Sequence, residues 1–102
     1  INSSSGLTAR AGGGAYDVSK HGLRALADSL RAEVNAEGVR VLSVFLGQTA
    51  TPMQAWLSQA QARDYRPERL LQPADVAQAV LALLRLPRTA EATDLHLRPM
   101  QP

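Results

Sequence analysis

The fold turns on Val39-Arg40-Val41-Leu42-Ser43-Val44-Phe45-Leu46-Gly47. It is rich in β-branched residues and almost wholly apolar after Arg40, as expected of a parallel strand buried on both faces; Gly47 ends it. Upstream, Leu23, Leu26, Leu30 and Val34 recur at three- and four-residue steps, which predicts an amphipathic helix from about Ala15 to Glu37 with its leucine stripe in the core or at a subunit contact. Gly38 is placed to cap it. Earlier still, Gly12-Gly13-Gly14 breaks the chain, and Ile1-Asn2 reads as the tail of a strand already under way, leaving through Ser3-Ser4-Ser5-Gly6.

Downstream, residues 48–72 are polar and alanine-rich with Pro52 and Pro67, and Met53–Arg63 is expected to form one or two short helices. Pro73 suits the first turn of a further helix, with Asp75 favourable to its dipole. Val76, Val80, Leu83 and Leu84 give that helix its stripe, Pro87 stops it, and Thr93–Arg98 reads as a last strand. Strand tail, helix, strand, excursion, helix, strand is the order of a parallel α/β sheet with flanking helices. Ligands of such sheets bind beyond the carboxyl ends of the strands. Here those ends are the loops starting at Ser3 and Gly47.

Composition narrows the chemistry. The 102 residues contain no cysteine, which removes disulfides, thiolate nucleophiles and cysteine-ligated metals. No apolar run approaches the ~20 residues of a membrane-spanning helix. The formal charge is +2, from eleven basic and nine acidic residues, with the arginines scattered and only four aromatic residues in all, a poor basis for nucleic-acid binding. His21 and His96 are isolated from further metal ligands. Ten of the eleven basic residues are arginine; the single lysine is Lys20.

Lys20 follows Tyr16 by four residues, so both lie on one face at the start of the long helix. A phenol is a weak base at neutral pH; a nearby ammonium and a helix N-terminus favour its phenolate. Such a tyrosine can give a proton to a carbonyl oxygen or take one from an alcohol. Ser3, thirteen residues before Tyr16 at the end of the first strand, could hold the reacting oxygen; Ser4 and Ser5 compete with it, and the spacing favours Ser3. After the central strand, Gly47 allows a flat ring to approach the backbone, and Thr49 and Thr51 offer groups suited to a carboxamide.

These pieces together resemble the short-chain dehydrogenases/reductases. The matching stretches are Asn2-Ser3-Ser4-Ser5-Gly6, Ala15-Tyr16-Asp17-Val18-Ser19-Lys20, Gly38-Val39-Arg40-Val41 leading to Gly47…Thr51-Pro52-Met53, and Ala74-Asp75-Val76-Ala77. The resemblance implies residues 1–102 as a single partial domain, the C-terminal part of a Rossmann-type doubly wound parallel sheet, with about three strands and flanking helices. It implies hydride transfer between NAD or NADP and an alcohol or carbonyl substrate. Ser3 would orient the substrate oxygen, Tyr16 would act as general acid/base, and Lys20 would assist Tyr16 and bind the nicotinamide ribose. Gly47, Thr49 and Thr51 would line the nicotinamide site. Met53, Trp56, Leu57 and Tyr65 fall where the family carries a mobile substrate lid, and Met53 and Trp56 are candidates to face an apolar substrate; packing of short helices on the sheet is the alternative. Leu46-Gly47 stands where the family usually has Pro-Gly.

The glycine-rich phosphate loop, the residue that chooses NAD or NADP and the family's catalytic asparagine would lie in an N-terminal dinucleotide-binding half of a longer, cytoplasmic and homo-oligomeric protein. The competing expectation is a non-catalytic module that retained the fold and serves as a binding or interaction unit. The mass of the polypeptide in its cell separates these: about 10.9 kDa favours the module, and two to three times that favours the enzyme. Because these residues offer only nicotinamide-side contacts and no helix N-terminus for a pyrophosphate, the 102-residue chain alone is expected to show no micromolar affinity for NAD(P) in calorimetry. Micromolar binding would contradict this.

Overall fold

In the computed structural model, which describes residues 1–100, three parallel strands lie in the order β1-β2-β3. They are β1 (Asn2–Ser3), β2 (Ser43–Leu46) and β3 (Asp94–Leu97). Between β1 and β2 runs helix α1 (Gly14–Val34), preceded by a 3-10 turn, Ser4–Gly6, and prolonged by another, Asn35–Glu37. Between β2 and β3 lie α2 (Pro52–Ala60), a 3-10 turn at Pro67–Arg69, and α3 (Pro73–Leu84). The expected parallel α/β order is the observed one. No helix among the described residues is long and apolar enough to cross a membrane.

β2 is the centre. Asn2 and Ser3 pair with Phe45 and Leu46 on one side, and Ser43–Leu46 pair with Asp94–Leu97 on the other. Ser43, Val44 and Phe45 are buried, as a strand covered on both faces requires. Phe45 is 1% exposed, which contributes roughly 1.5–3 kcal/mol of apolar transfer. The Arg24 guanidinium lies 5.8 Å from its ring centroid, so this face meets α1. Val44, Leu71 and Val76 complete the buried apolar set among the described residues.

The strand is shorter than its apolar run. β2 covers Ser43–Leu46 only, so residues 39–42 of the run lie before the paired ladder. Side chains take over the missing ladder instead: Glu91 accepts from the Val41 N–H at 3.0 Å, and Arg31 Nε donates to the Val41 carbonyl at 2.9 Å. The α-helix likewise ends at Val34 rather than Glu37, where it tightens to 3-10 geometry before Gly38 reverses the chain at φ 80°.

The leucine stripe is split between the two places expected of it. Leu26 and Leu30 are 66% and 44% exposed and lie outside this chain's core, while Leu23 and Val34 are half-buried. The inward face of α1 is instead polar. It presents buried Asp17, Arg24 over Phe45, and Arg31, whose guanidinium reaches both the Val41 and Thr93 carbonyls. These positions recur every seven residues, two helical turns; Asp17 and Arg31 are held by hydrogen bonds to backbone and Arg24 by its contact with the Phe45 ring.

α3 starts as Pro73 and Asp75 indicate. Pro73 occupies the first turn, and the Asp75 carboxylate accepts from the Gln72 N–H at 3.0 Å in a capping box. Its last turn is fastened by Arg40, which donates to the carbonyls of Leu84 (2.8 Å), Leu86 (3.0 Å) and Ala90 (3.1 Å). Helix C-terminal carbonyls lack intrahelical partners, so a cation here both satisfies them and complements the dipole. Arg88 answers with a bond to the Gly38 carbonyl. Arg40→Ala is therefore expected to lower stability by about 2 kcal/mol, read as a lower urea midpoint, with Arg40→Lys recovering only part because an ammonium lacks the planar fork. An unchanged midpoint in Arg40→Ala would contradict this role.

Candidate active site

The site residues come from three chain segments brought to one edge of the sheet. Parallel pairing sets Ser3 beside Leu46, so the loops that leave β1 and β2 start side by side. α1 packs against the turn that follows Ser3, which brings the helix's beginning to the same edge.

Asn2 makes this convergence specific. Its side chain is buried; Nδ2 donates to the Lys20 carbonyl at 3.0 Å, and Oδ1 accepts from the Ser3 N–H at 2.7 Å. One amide thus ties the end of β1 to the second turn of α1. Ser3 then caps the following turn by accepting from the Ser5 N–H at 3.1 Å, which leaves its own O–H free to donate.

Asp17 secures the other side. It is 4% exposed at the start of α1; Oδ2 accepts from the Arg10 N–H at 2.8 Å, and Oδ1 has no hydrogen-bond partner among the described residues. Arg10 in turn donates to Ser5 Oγ at 3.1 Å. The glycine-bearing loop between the first turn and α1 is thereby held down at its middle. His21, whose Nδ1 lies 2.8 Å from the Asp17 carbonyl, is occupied with the helix backbone.

On this support stand Tyr16 and Lys20. Tyr16 is 45% exposed, and Lys20 is half-buried with Nζ 5.6 Å from the tyrosine ring centroid. The four-residue spacing does bring them together.

The β2 loop is likewise pinned. Thr49 pairs with Leu71; Leu71 donates to the Gln48 carbonyl at 3.1 Å, and Ala50 donates to the Leu71 carbonyl at 2.8 Å. Thr49 Oγ1 donates to the Gly47 carbonyl at 3.0 Å, and Thr51 Oγ1 caps α2 by accepting from the Gln54 N–H at 3.2 Å. A Cβ on Gly47 would stand 3.1 Å from Pro99 Cδ and 3.3 Å from Arg98 Cα, so the glycine also admits the chain that leaves β3. Met53 and Trp56 lie on α2 with 67% and 65% exposure, away from the core.

Asn2 and Asp17 are the positioning residues that sequence reasoning missed. Asn2 sat in a run read as a strand tail, and Asp17 stood between Tyr16 and Lys20 with no role of its own assigned. The signal that would have found Asp17 is a carboxylate within a turn of a helix N-terminus beside a glycine-rich loop.

Comparison with known proteins gives the family. Residues 1–62 match the short chain dehydrogenase family. Carbonyl reductase family member 4 of Danio rerio is 40% identical over 85% of this chain and 37% of its own length. Glycine betaine reductase ATRR of Emericella nidulans is 31% identical over 97% of this chain but only 8% of its own. Among solved structures, the alcohol dehydrogenase of the archaeon Thermococcus sibiricus complexed with 5-hydroxy-NADP superposes with a TM-score of 0.75 at 26% identity, covering 97% of this chain and 40% of that one. The chain thus spans less than half the length of each of these proteins. With its three-stranded parallel sheet and its ordered Ser3, Tyr16 and Lys20, it belongs to the short-chain dehydrogenase/reductase family.

Proposed function

We propose that residues 1–102 are a single partial domain, the catalytic and C-terminal segment of a longer NAD- or NADP-dependent oxidoreductase that interconverts an alcohol and a carbonyl compound. The observation that carries this reading is the Tyr16–Lys20 pair, its ammonium 5.6 Å from the phenol ring, on a helix tied through Asn2 to the strand that ends at Ser3. The donor set fits a nicotinamide cofactor: an accessible phenol, an ammonium with three donors, and the hydroxyls of Thr49 and Thr51 around Gly47. The similarity to an alcohol dehydrogenase solved with an NADP derivative, and to a carbonyl reductase, supports the same class.

When bound, the cofactor supplies or accepts the hydride. The protein residues handle the proton and the geometry. In the reducing direction Ser3 donates its free O–H to the carbonyl oxygen and polarises it, and Tyr16 delivers the proton that turns that oxygen into a hydroxyl. In the oxidising direction Tyr16 removes the same proton. Lys20 stabilises the tyrosinate left after transfer and holds the ribose hydroxyls, while Gly47, Thr49 and Thr51 seat the nicotinamide side. Met53 and Trp56 face the apolar part of the substrate. The exposed Val18, Leu26 and Leu30 give α1 an apolar side suited to a homo-oligomer contact in the full-length protein.

The test lies at Lys20. A guanidinium keeps the charge of Lys20 but is longer, spreads that charge and directs its donors along a fixed fork. In the full-length protein Lys20→Arg is expected to lower turnover at least ~100-fold and to weaken cofactor binding. Lys20→Met should do the same. Near-normal turnover and cofactor affinity in Lys20→Arg would reduce Lys20 to a surface charge and overturn the mechanism.

A further inference from the structure

Beyond the β2 loop the chain builds a cavity of about 170 Å³ whose lining is basic. Arg63, Arg66 and Arg69 border it with Tyr65, Gln48 and the α2 residues Gln54 and Ser58; Asp64 is its one carboxylate. Arg63 and Arg66 against Asp64 already leave the lining with a net positive charge. The cavity has room for several waters at ~30 Å³ each, and so for a carboxylate or phosphate group.

Arg63 and Arg66 are not simply neutralised by their neighbours. The Arg63 side chain forms no hydrogen bond or ion pair among the described residues. Arg66 approaches Asp64 at 3.6 Å, but both side chains are well exposed, at 59% and 88%, and such pairs are weak. The chain is also bent to present them. α2 ends with the Arg63 N–H bonded to the Ser58 carbonyl at 2.8 Å, across Ala62 in the left-handed region at φ 52°. A non-glycine residue there costs free energy that glycine would avoid, and strain of this kind gathers at ligand-contacting loops. Gln48 connects the cavity to the catalytic edge, since it lies between Gly47 and Thr49 and its carbonyl is fixed by Leu71.

We propose that this cavity receives an anionic substituent of the substrate, a carboxylate or phosphate remote from the reacting carbonyl, held by Arg63 and Arg66. The assignment rests on the oxidoreductase reading above and deepens it from any carbonyl compound to an acidic one. Guanidinium–oxyanion pairs are charge-assisted, can be bidentate, and fix orientation as well as affinity. Binding energy from such a remote group orients the reacting centre.

The experiment compares the full-length protein with its Arg63→Gln/Arg66→Gln variant. Reduction of a keto acid is measured against reduction of its uncharged methyl ester, and a keto phosphate forms a parallel arm. Wild type is expected to favour at least one of the anionic substrates by about ten- to hundredfold in kcat/KM, mainly through KM. The variant should lose that preference while its turnover of the ester is unchanged. The arm with the larger preference identifies carboxylate or phosphate. Equal preference in wild type and variant, or none in wild type, overturns the proposal. Anion binding is followed independently of activity by thermal unfolding with inorganic phosphate and with acetate. A stabilisation by either that is present in wild type and lost in the variant supports an anion pocket even if no carbonyl is reduced, which would sink only the oxidoreductase reading. Absence of stabilisation by both anions, in an enzyme that reduces the ester, sinks only the pocket.

Discussion

The parallel pairing of β2 with neighbours on both sides is the constraint from which the rest follows. Its register sets Ser3 against Leu46 and Leu46 against Leu97, so three chain segments emerge together at one edge. Phe45, fully buried, fixes which side of the strand meets α1, because only one face can hold the ring and the other takes Val44. A shift of one residue would turn the ring to the face that now holds Val44 and move Ser3 out of register with Leu46. The location of the candidate site is therefore a consequence of core packing.

Packing sets the edge, and polar contacts set the distances. The Asn2 amide links Ser3 to Lys20, the Asp17 carboxylate holds the loop before α1, and Leu71 pins the loop after β2. Each is buried, so its hydrogen bonds act in a low dielectric, where losing a partner is costly. α1 needs few apolar contacts to stay seated because Arg31 grips two backbone carbonyls across the sheet. Its apolar side is left outward, and the flat shape agrees: the radius of gyration is 15.4 Å, against about 13 Å for a compact domain of ~100 residues.

Much of this was legible in the residues. Element order followed from hydropathy periods and from Gly38, Pro52, Pro73 and Pro87, and the Tyr16–Lys20 pair from four-residue spacing. What periodicity missed were features decided by neighbours. Val39–Leu42 has the composition of a strand, yet its Val41 backbone groups are taken by the Glu91 and Arg31 side chains, residues brought close only by folding. Leu26 and Leu30 have the spacing of a buried stripe, yet a parallel polar stripe on the same helix took the inner face through bonds to residues as distant as Thr93. Asn2 was unreadable for the same reason: its amide bonds to the Lys20 carbonyl, which the chain brings close only after folding.

We propose that one sheet edge gathers a proton-transfer group, an oxygen-holding group and a nicotinamide seat from Ser3, Tyr16, Lys20 and the Gly47–Thr51 loop. A crystal structure of the full-length protein with its nicotinamide cofactor tests this most directly. The nicotinamide ring is expected over the β2 loop, with the ribose hydroxyls within hydrogen-bond reach of Lys20 Nζ, and Tyr16 Oη and Ser3 Oγ both facing the reactive carbon of the ring. A cofactor bound away from this edge, or a Tyr16 hydroxyl turned from the ring, would contradict it.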